Sequence, residues 1–315
     1  MNIKGLTFLL VAFLWSAIAM AYDFSAAYNG DIFYYNITSS VRPRTVEVTF
    51  EEINYTRYCE YSGSIEIPSK VKYNGKTYSV TSIGDEALYF CRELTSITIP
   101  SSVTSIGSLA FSYCGLTFIG IPNSVTSIGT YAFSSCDSLT SVTISNSATS
   151  IEEGTFSRCR ELTFVDIPNS VTSIGKYAFS KCSKLTFVDI PNSVTSIGDE
   201  AFGDCHSLTS VAISNSVASI ENEAFVNCYD LTAINIPESV TFIGSNVFRA
   251  CSSLRKITVN WKVPLPVSYD QFGIYNSNIR LIIPYGTYEQ YSTAEGWEDF
   301  KIEEVNYKTR KELEK

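Results

Sequence analysis

A repeat of 23 residues dominates the central part of the chain. Apart from one step of 22 residues in each series, leucine and cysteine both recur at intervals of 23. Repetition at a fixed period of this length is typical of a solenoid, in which each repeat forms one coil and stability comes from stacking. The leucines are Leu94, Leu116, Leu139, Leu162, Leu185, Leu208, Leu231 and Leu254, and the cysteines are Cys91, Cys114, Cys136, Cys159, Cys182, Cys205, Cys228 and Cys251.

One representative coil shows how each repeat is expected to fold. Residues 185–190 alternate apolar with polar side chains, which predicts a strand with one buried side. Pro191 ends the strand because it has no N–H to donate. Residues 194–197 predict a short extended piece before Gly198, where the chain can turn sharply. Residues 201–208 carry apolar side chains at the spacing of one or two helical turns, so a short helical turn is expected to close the coil.

The regions outside the repeat predict an export signal and two caps. Lys4, the apolar stretch Leu6–Ile18 and the small-x-small ending Ala19–Ala21 predict a signal peptide cleaved near Ala21, with a membrane anchor as the alternative. An open solenoid end must be covered, and the flanking segments could do this. The predicted regions are a signal peptide at 1–21, a β-rich cap at 22–80, the repeat array at 81–260, a degenerate repeat with a C-terminal cap at 261–302, and a charged tail at 303–315.

Charge and residue usage argue against several classes of function. The formal net charge is −9, so no basic surface suggests nucleic-acid binding. His206 is the single histidine, which leaves little material for a histidine-based metal site or a histidine-activated nucleophile. No phosphate-binding loop or nucleophile elbow is evident. We therefore expect no enzymatic activity, no cofactor, no metal and no transmembrane segment in the mature chain.

The repeated unit I-P-x-S-V-T-S-I-G-x-x-A-F-x-x-C-x-x-L-T resembles the BspA-like class of leucine-rich repeats. The resemblance implies a right-handed leucine-rich repeat solenoid with one parallel strand and one short helical turn per coil. Two coils depart from the pattern. Glu152 and Glu221 replace the glycine, while Ser145 and Ser214 replace the proline. These coils lie three repeats apart, which fits either a duplicated block or a local change in curvature.

The nine cysteines admit two interpretations. An exported protein commonly uses cysteine for disulfides. Eight of the cysteines, however, occupy an inward repeat position, and side chains that point in parallel oppose disulfide geometry. We therefore expect nearly all nine to be free thiols that pack as small apolar groups.

A candidate binding surface lies on the outward side of the strands, which we expect to be the concave face. Three phenylalanines there accompany two aspartates, and such a patch is typical of an interaction site. Neutral drift among strand residues is the alternative. The candidate residues are Phe118, Phe164, Asp166, Phe187 and Asp189.

The resemblance implies a secreted or cell-surface protein that binds other proteins or mediates adhesion through the solenoid surface. Expected partners are a host matrix protein or a microbial surface protein. A carbohydrate-binding or cell-envelope structural protein is the alternative. Neither the ligand nor the oligomeric state follows from the sequence.

Overall fold

The computed structural model describes residues 22–50, 59–273 and 278–305. The predicted signal peptide lies outside the described residues, as does most of the predicted tail. The described chain forms a solenoid of about nine turns built from parallel strands, with almost no helix. This confirms the solenoid fold predicted from the 23-residue period.

The N-terminal strands form an antiparallel sheet that joins the solenoid. The first three strands pair antiparallel in chain order, and the third then pairs in parallel with the sixth. Asn74 and Gly75, with φ of 47° and 67°, make the predicted hairpin between the fifth and sixth strands. The strands of this sheet are β1 (Phe24–Tyr28), β2 (Asp31–Ser39), β3 (Thr45–Thr49), β5 (Lys70–Tyr73) and β6 (Lys76–Ile83). The remaining N-terminal strand, β4 (Gly63–Glu66), pairs in parallel with residues 94–98 of the first repeat.

Most coils contribute one longer strand and one two-residue strand. The longer strands pair in parallel with those of neighbouring coils, as in the register of Phe187 with Ser210. The two-residue strands form a second parallel sheet, in which Ser196 pairs with Ser219. The strands of these coils are β7 (Leu94–Thr98), β8 (Ser105–Ile106), β9 (Phe118–Gly120), β10 (Ser127–Ile128), β11 (Ser141–Thr143), β12 (Ser150–Ile151), β13 (Ser173–Ile174), β14 (Phe187–Ile190), β15 (Ser196–Ile197), β16 (Ser210–Ile213), β17 (Ser219–Ile220), β18 (Ala233–Ile236) and β19 (Phe242–Ile243).

The C-terminal segment continues the sheet of longer strands. Its strands add to β18 in the order β18-β20-β21-β22, all in parallel. The fully buried Trp297 packs edge-on against Phe272, with ring centroids 5.1 Å apart, and covers the end of the core. The elements are β20 (Lys256–Val259), α1 (Tyr269–Phe272), β21 (Arg280–Ile283), α2 (Tyr288–Ser292) and β22 (Lys301–Glu304). The last strand thus extends into the region predicted as a charged tail.

The segment that closes each coil differs from the predicted helical turn. It is a series of turns with left-handed residues, such as Glu200 at φ 46° and Asp204 at φ 57°. Its N–H groups bond to the next coil, as Phe179 N does to Ala201 O at 2.8 Å. A helix would use these N–H groups within its own segment. The apolar spacing therefore identified the inward side chains, whereas coil-to-coil hydrogen bonding set the backbone conformation.

Identical side chains stack along the core. The phenylalanines of successive coils lie nearly parallel, with neighbouring ring centroids 5.1 to 6.2 Å apart. Each free cysteine donates its S–H to a backbone carbonyl of the preceding coil, as Cys182 Sγ does to Phe156 O at 3.2 Å. The thiol thus fills an apolar position and also satisfies a buried acceptor. The stacked phenylalanines are Phe111, Phe133, Phe156, Phe179, Phe202, Phe225, Phe248 and Phe272.

The expectation of free thiols is correct for seven cysteines and wrong for two. The seven cysteines from Cys114 to Cys251 are free and buried. Cys59 and Cys91, by contrast, form a disulfide with their Cα atoms 4.9 Å apart. Cys59 precedes the repeat and belongs to no stacked column, so parallel side chains do not constrain its approach to Cys91.

A glycine follows most of the two-residue strands and permits close contact between coils there. A Cβ on Gly198 would lie 2.7 Å from the carbonyl carbon of Gly175, whereas a Cβ on Gly120 would meet nothing closer than 3.5 Å. We expect Gly198→Ala to lower the free energy of unfolding by about 1–3 kcal/mol, since the coils must separate. Gly120→Ala, the matched control, should be neutral or raise it by up to about 1 kcal/mol. Urea unfolding of both variants checks this, and equal effects would contradict the backbone contact.

Candidate functional site

The alternation of each longer strand decides which side chains reach the surface. Successive side chains of a strand point to opposite sides of the sheet. In β14, Val188 and Ile190 are buried, while Phe187 and Asp189 are exposed. We call the outward side of the longer strands the strand face. All five candidate residues lie on it and are at least partly open to solvent.

The three phenylalanines of the strand face are exposed to an extent unusual for this residue type. Their exposed fractions are 50% for Phe118, 53% for Phe164 and 37% for Phe187. Phe164 bridges in parallel to Phe187, so these two occupy the same position in adjacent coils. Phe118 pairs instead with Ser141 and is therefore separated from Phe164 by one coil. The structure thus places two of the three phenylalanines side by side in adjacent coils, and we call them the aromatic pair.

The two aspartates lie beside this aromatic pair, each two residues after one of the phenylalanines. Asp166 bridges to Thr143 of the preceding coil, and Asp189 pairs with Ala212 of the following coil. Both are exposed. The ion pairs found among the described residues do not include either carboxylate. The acidic groups beside the phenylalanines are therefore available to an external cation.

Sequence reasoning missed the basic end of the same surface. The column of Phe164 and Phe187 continues through Ala233 to Lys256, Arg280 and Lys301, which pair in register. Arg280 binds Glu303, and Lys301 Nζ donates to Asn278 Oδ1 at 2.8 Å. The steps of 24 and 21 residues between these bases depart from the period of 23, which hid their alignment. The strand face is consequently aromatic and acidic in its middle and basic at its C-terminal end.

The described residues also bear on metal binding and on crossing a membrane. Among the described residues, no three histidine, cysteine or acidic side chains converge as a metal site would require. His206 stacks on the Tyr229 ring at 4.7 Å and remains partly exposed, as expected for a surface position. In the same part of the chain, no helix has the length and apolar character needed to cross a bilayer.

Comparison with protein families decides the classification of these coils. A family model described as the BspA type Leucine rich repeat region matches residues 69–186 and 172–282, with six copies of the repeat. The protein belongs to the BspA-type leucine-rich repeat family. The resemblance in the repeated unit is thereby confirmed. Among curated proteins, none matches the sequence.

Solved structures include similar bacterial leucine-rich repeat proteins. A leucine rich cell surface protein from Faecalibacterium prausnitzii A2-165 is 28% identical, with a TM-score of 0.51, over 83% of this chain and 70% of that one. The T. pallidum leucine-rich repeat protein is 27% identical, with a TM-score of 0.48, over 70% of this chain and 87% of that one. The first of these supports the fold of this BspA-type protein over most of its length.

Proposed function

We propose that this BspA-type protein is an exported, non-enzymatic binding protein that captures a partner protein through the strand face. The observation that carries the proposal is the exposed pair Phe164 and Phe187, which lies beside Asp166 and Asp189. Aromatic side chains supply much of the binding energy of protein interfaces when a partner desolvates them. The adjacent carboxylates would orient a basic group of the partner.

The rigidity of the scaffold supports a role in recognition. The backbone of β14 is paired with β16 over four residues, so Phe187 projects from a hydrogen-bonded sheet, and Phe164 is tied to it by a parallel bridge. A surface held in this way loses little conformational freedom when it binds. The strand face can therefore present both rings to a partner without rearrangement.

Three considerations support export. The sequence begins with a predicted signal peptide, and the disulfide Cys59–Cys91 is of the kind that persists in oxidising compartments. The similar F. prausnitzii protein is described as a cell surface protein. An extracellular partner, such as a host matrix protein or a microbial surface protein, fits this location.

Replacing both phenylalanines tests the strand face. We expect Phe164→Ser with Phe187→Ser to weaken capture of the partner by about tenfold or more, because two buried aromatic contacts would be lost. The melting temperature should stay unchanged, since both rings are exposed. Surface plasmon resonance against immobilised collagen, laminin and fibronectin, together with thermal unfolding, measures both effects.

Phe242→Ser is the matched control for this experiment. Phe242 is 48% exposed, but it lies in the sheet of two-residue strands. The control should bind as the unmodified protein does. Unchanged binding of the double variant, or an equal loss in the control, would contradict the strand face as the site. Failure of the unmodified protein to capture any of the three would contradict recognition of matrix proteins.

A further inference from the structure

A cleft of about 550 Å³ lies on the side of the solenoid formed by the closing turns. It runs along the axis across successive coils, from Tyr89 to Glu200. The residue after the stacked phenylalanine is serine in four consecutive coils, and these serines line the cleft. They are Ser112, Ser134, Ser157 and Ser180, and each is at least 93% buried. The cleft therefore has a floor of small polar side chains.

Three of these serines keep unused hydrogen-bonding capacity. Ser112 Oγ donates to the carbonyl of Ser134 at 3.0 Å. For the hydroxyls of Ser134, Ser157 and Ser180, the described part of the chain provides no partner within hydrogen-bond distance. These three oxygens are not among the fully buried side-chain atoms of the described residues that lack a partner, so they remain open to water in the cleft. These groups therefore face the cleft as donors and acceptors for a polar ligand.

Aromatic side chains form one wall of the cleft. Tyr131 and Tyr177 occupy the same position two coils apart, and both are half-buried. Tyr131 donates its hydroxyl to Glu153 Oε1 at 2.8 Å, which fixes the ring. The intervening position is Gly154, where a Cβ would lie 2.2 Å from Tyr131 Cε1. The ring of Tyr131 thus lies across the backbone at Gly154 and leaves the wall free of another side chain.

Two basic residues also line the cleft. Arg158 and Lys181 occupy the same position in adjacent coils and are exposed. The backbone N–H groups of Arg158 and Lys181 donate to carbonyl oxygens of the next coil at 2.7 Å, so the backbone of both residues is held in place. The ion pairs of the described residues involve other bases. Glu200 also lines the cleft, so two bases face one carboxylate there. In a chain of net charge −9, this local excess of positive charge favours an anionic ligand.

We propose that this cleft binds a linear glycan that carries uronate carboxylates. Serine hydroxyls would bond the sugar hydroxyls, the tyrosine rings would pack against the apolar faces of the pyranose rings, and Arg158 and Lys181 would pair with the carboxylates. The stacked rings beneath the floor step by 5.1 to 5.6 Å per coil, close to the length of one hexopyranose unit. A peptide would need apolar pockets for its side chains, and a serine floor does not provide them.

Calorimetric titration with three probes tests the cleft. The probes are a hyaluronate octasaccharide, a chitin oligosaccharide of similar length without carboxylates, and poly-glutamate. We expect the protein to bind the hyaluronate probe with an affinity that falls as salt increases. The chitin probe should bind at least about tenfold more weakly, since the charge-assisted hydrogen bonds are missing.

Matched variants assign the binding to the cleft. We expect Arg158→Gln with Lys181→Gln to weaken hyaluronate binding by about tenfold or more. Arg160→Gln with Lys184→Gln makes the same change of charge in the same two coils, but these bases pair with Asp137 and Glu161 outside the cleft. This control should bind as the unmodified protein does. Circular dichroism of both double variants checks that the solenoid remains folded.

Four outcomes would overturn the proposal. Equal binding of the two double variants would place the ligand elsewhere. Equal affinity for chitin would remove the role of the carboxylates, and binding of poly-glutamate without hyaluronate would identify an acidic-peptide site. Binding of none of the probes would mean that the cleft has no such function. Since the strand face is a separate surface, replacement of Phe164 and Phe187 should leave hyaluronate binding unchanged.

Discussion

Alkaline pH is expected to unfold this protein cooperatively between about pH 9 and 11, at a temperature where it is stable at pH 8. The cause is the column of buried thiols. Burial raises the pKa of Cys136 and of Cys182 from 9.0 to about 12. It raises the pKa of four further thiols well above that ordinary value. These four are Cys114, Cys159, Cys205 and Cys228.

The sign of the effect follows from proton binding. In the unfolded chain the thiols ionise near pH 9, whereas in the folded protein they stay protonated to a higher pH. The unfolded state therefore binds fewer protons above pH 9, and the free energy of unfolding falls as the pH rises. Above pH 9, each thiol lowers the free energy of unfolding by roughly 1 kcal/mol per pH unit, so the six thiols together lower it by several kcal/mol. A typical total stability is about 5–15 kcal/mol. Below pH 9 the thiols are protonated in both states, so they add no pH dependence to the free energy of unfolding.

Urea unfolding at pH 8, 9, 10 and 10.5 measures this dependence. Cys182→Ala with Cys205→Ala is the informative variant, because it removes two of the titrating groups. It will be less stable at pH 8, since two buried side chains are truncated. Its stability should nevertheless fall less steeply with pH than that of the unmodified protein. Parallel slopes for the two proteins would show that the stacked thiols do not cause the alkaline unfolding.

Truncation of one stacked phenylalanine is expected to cost about 3–5 kcal/mol of unfolding free energy, as for other buried aromatic residues. Phe179 is fully buried and lies between Phe156 and Phe202, at centroid distances of 5.6 and 5.4 Å. Phe179→Ala would leave a cavity between two coils that backbone hydrogen bonds hold in register. The coils cannot close it without breaking those bonds.

Phe164→Ala provides the matched comparison. Phe164 belongs to the same coil as Phe179, residues 162–184, but its side chain is 53% exposed. Its truncation should change the free energy of unfolding by less than about 1 kcal/mol. Chemical denaturation of both variants at pH 7 gives the two values. A loss below about 1 kcal/mol for Phe179→Ala would mean that the stacked column does not stabilise the fold.

In the two variant coils, a serine hydroxyl takes the place of the proline ring. Ser145 and Ser214, which replace proline, donate their hydroxyls to carbonyls of the preceding coil, Val125 O at 2.6 Å and Pro191 O at 3.0 Å. The strand that precedes Glu152 stays in register, since Ile151 pairs with Ile174. The serine therefore replaces the conformational restriction of proline with a hydrogen bond between coils. The pairing of the solenoid continues through the altered coil.

The amino-acid pattern alone predicts the solenoid and the direction in which its side chains point. Coils of constant length place equivalent residues above one another, so the period of 23 residues predicts the columns of phenylalanine and cysteine. Alternation in the strands likewise predicts that Phe164, Phe187 and Asp189 point outward. These features are repeated in every coil, and a repeated pattern can be recognised in the sequence without coordinates.

Contacts that the repeat does not encode are visible only in the folded protein. The disulfide Cys59–Cys91 depends on where a non-repeating segment meets the first coils. The left-handed turns depend on hydrogen bonds between coils, and the alignment of Lys256 with Arg280 depends on a connection of irregular length. The cleft lined by Arg158 is formed by several coils together, so the pattern of one repeat does not predict it. Such contacts arise from how distant segments meet in space, which residue spacing along one chain does not specify.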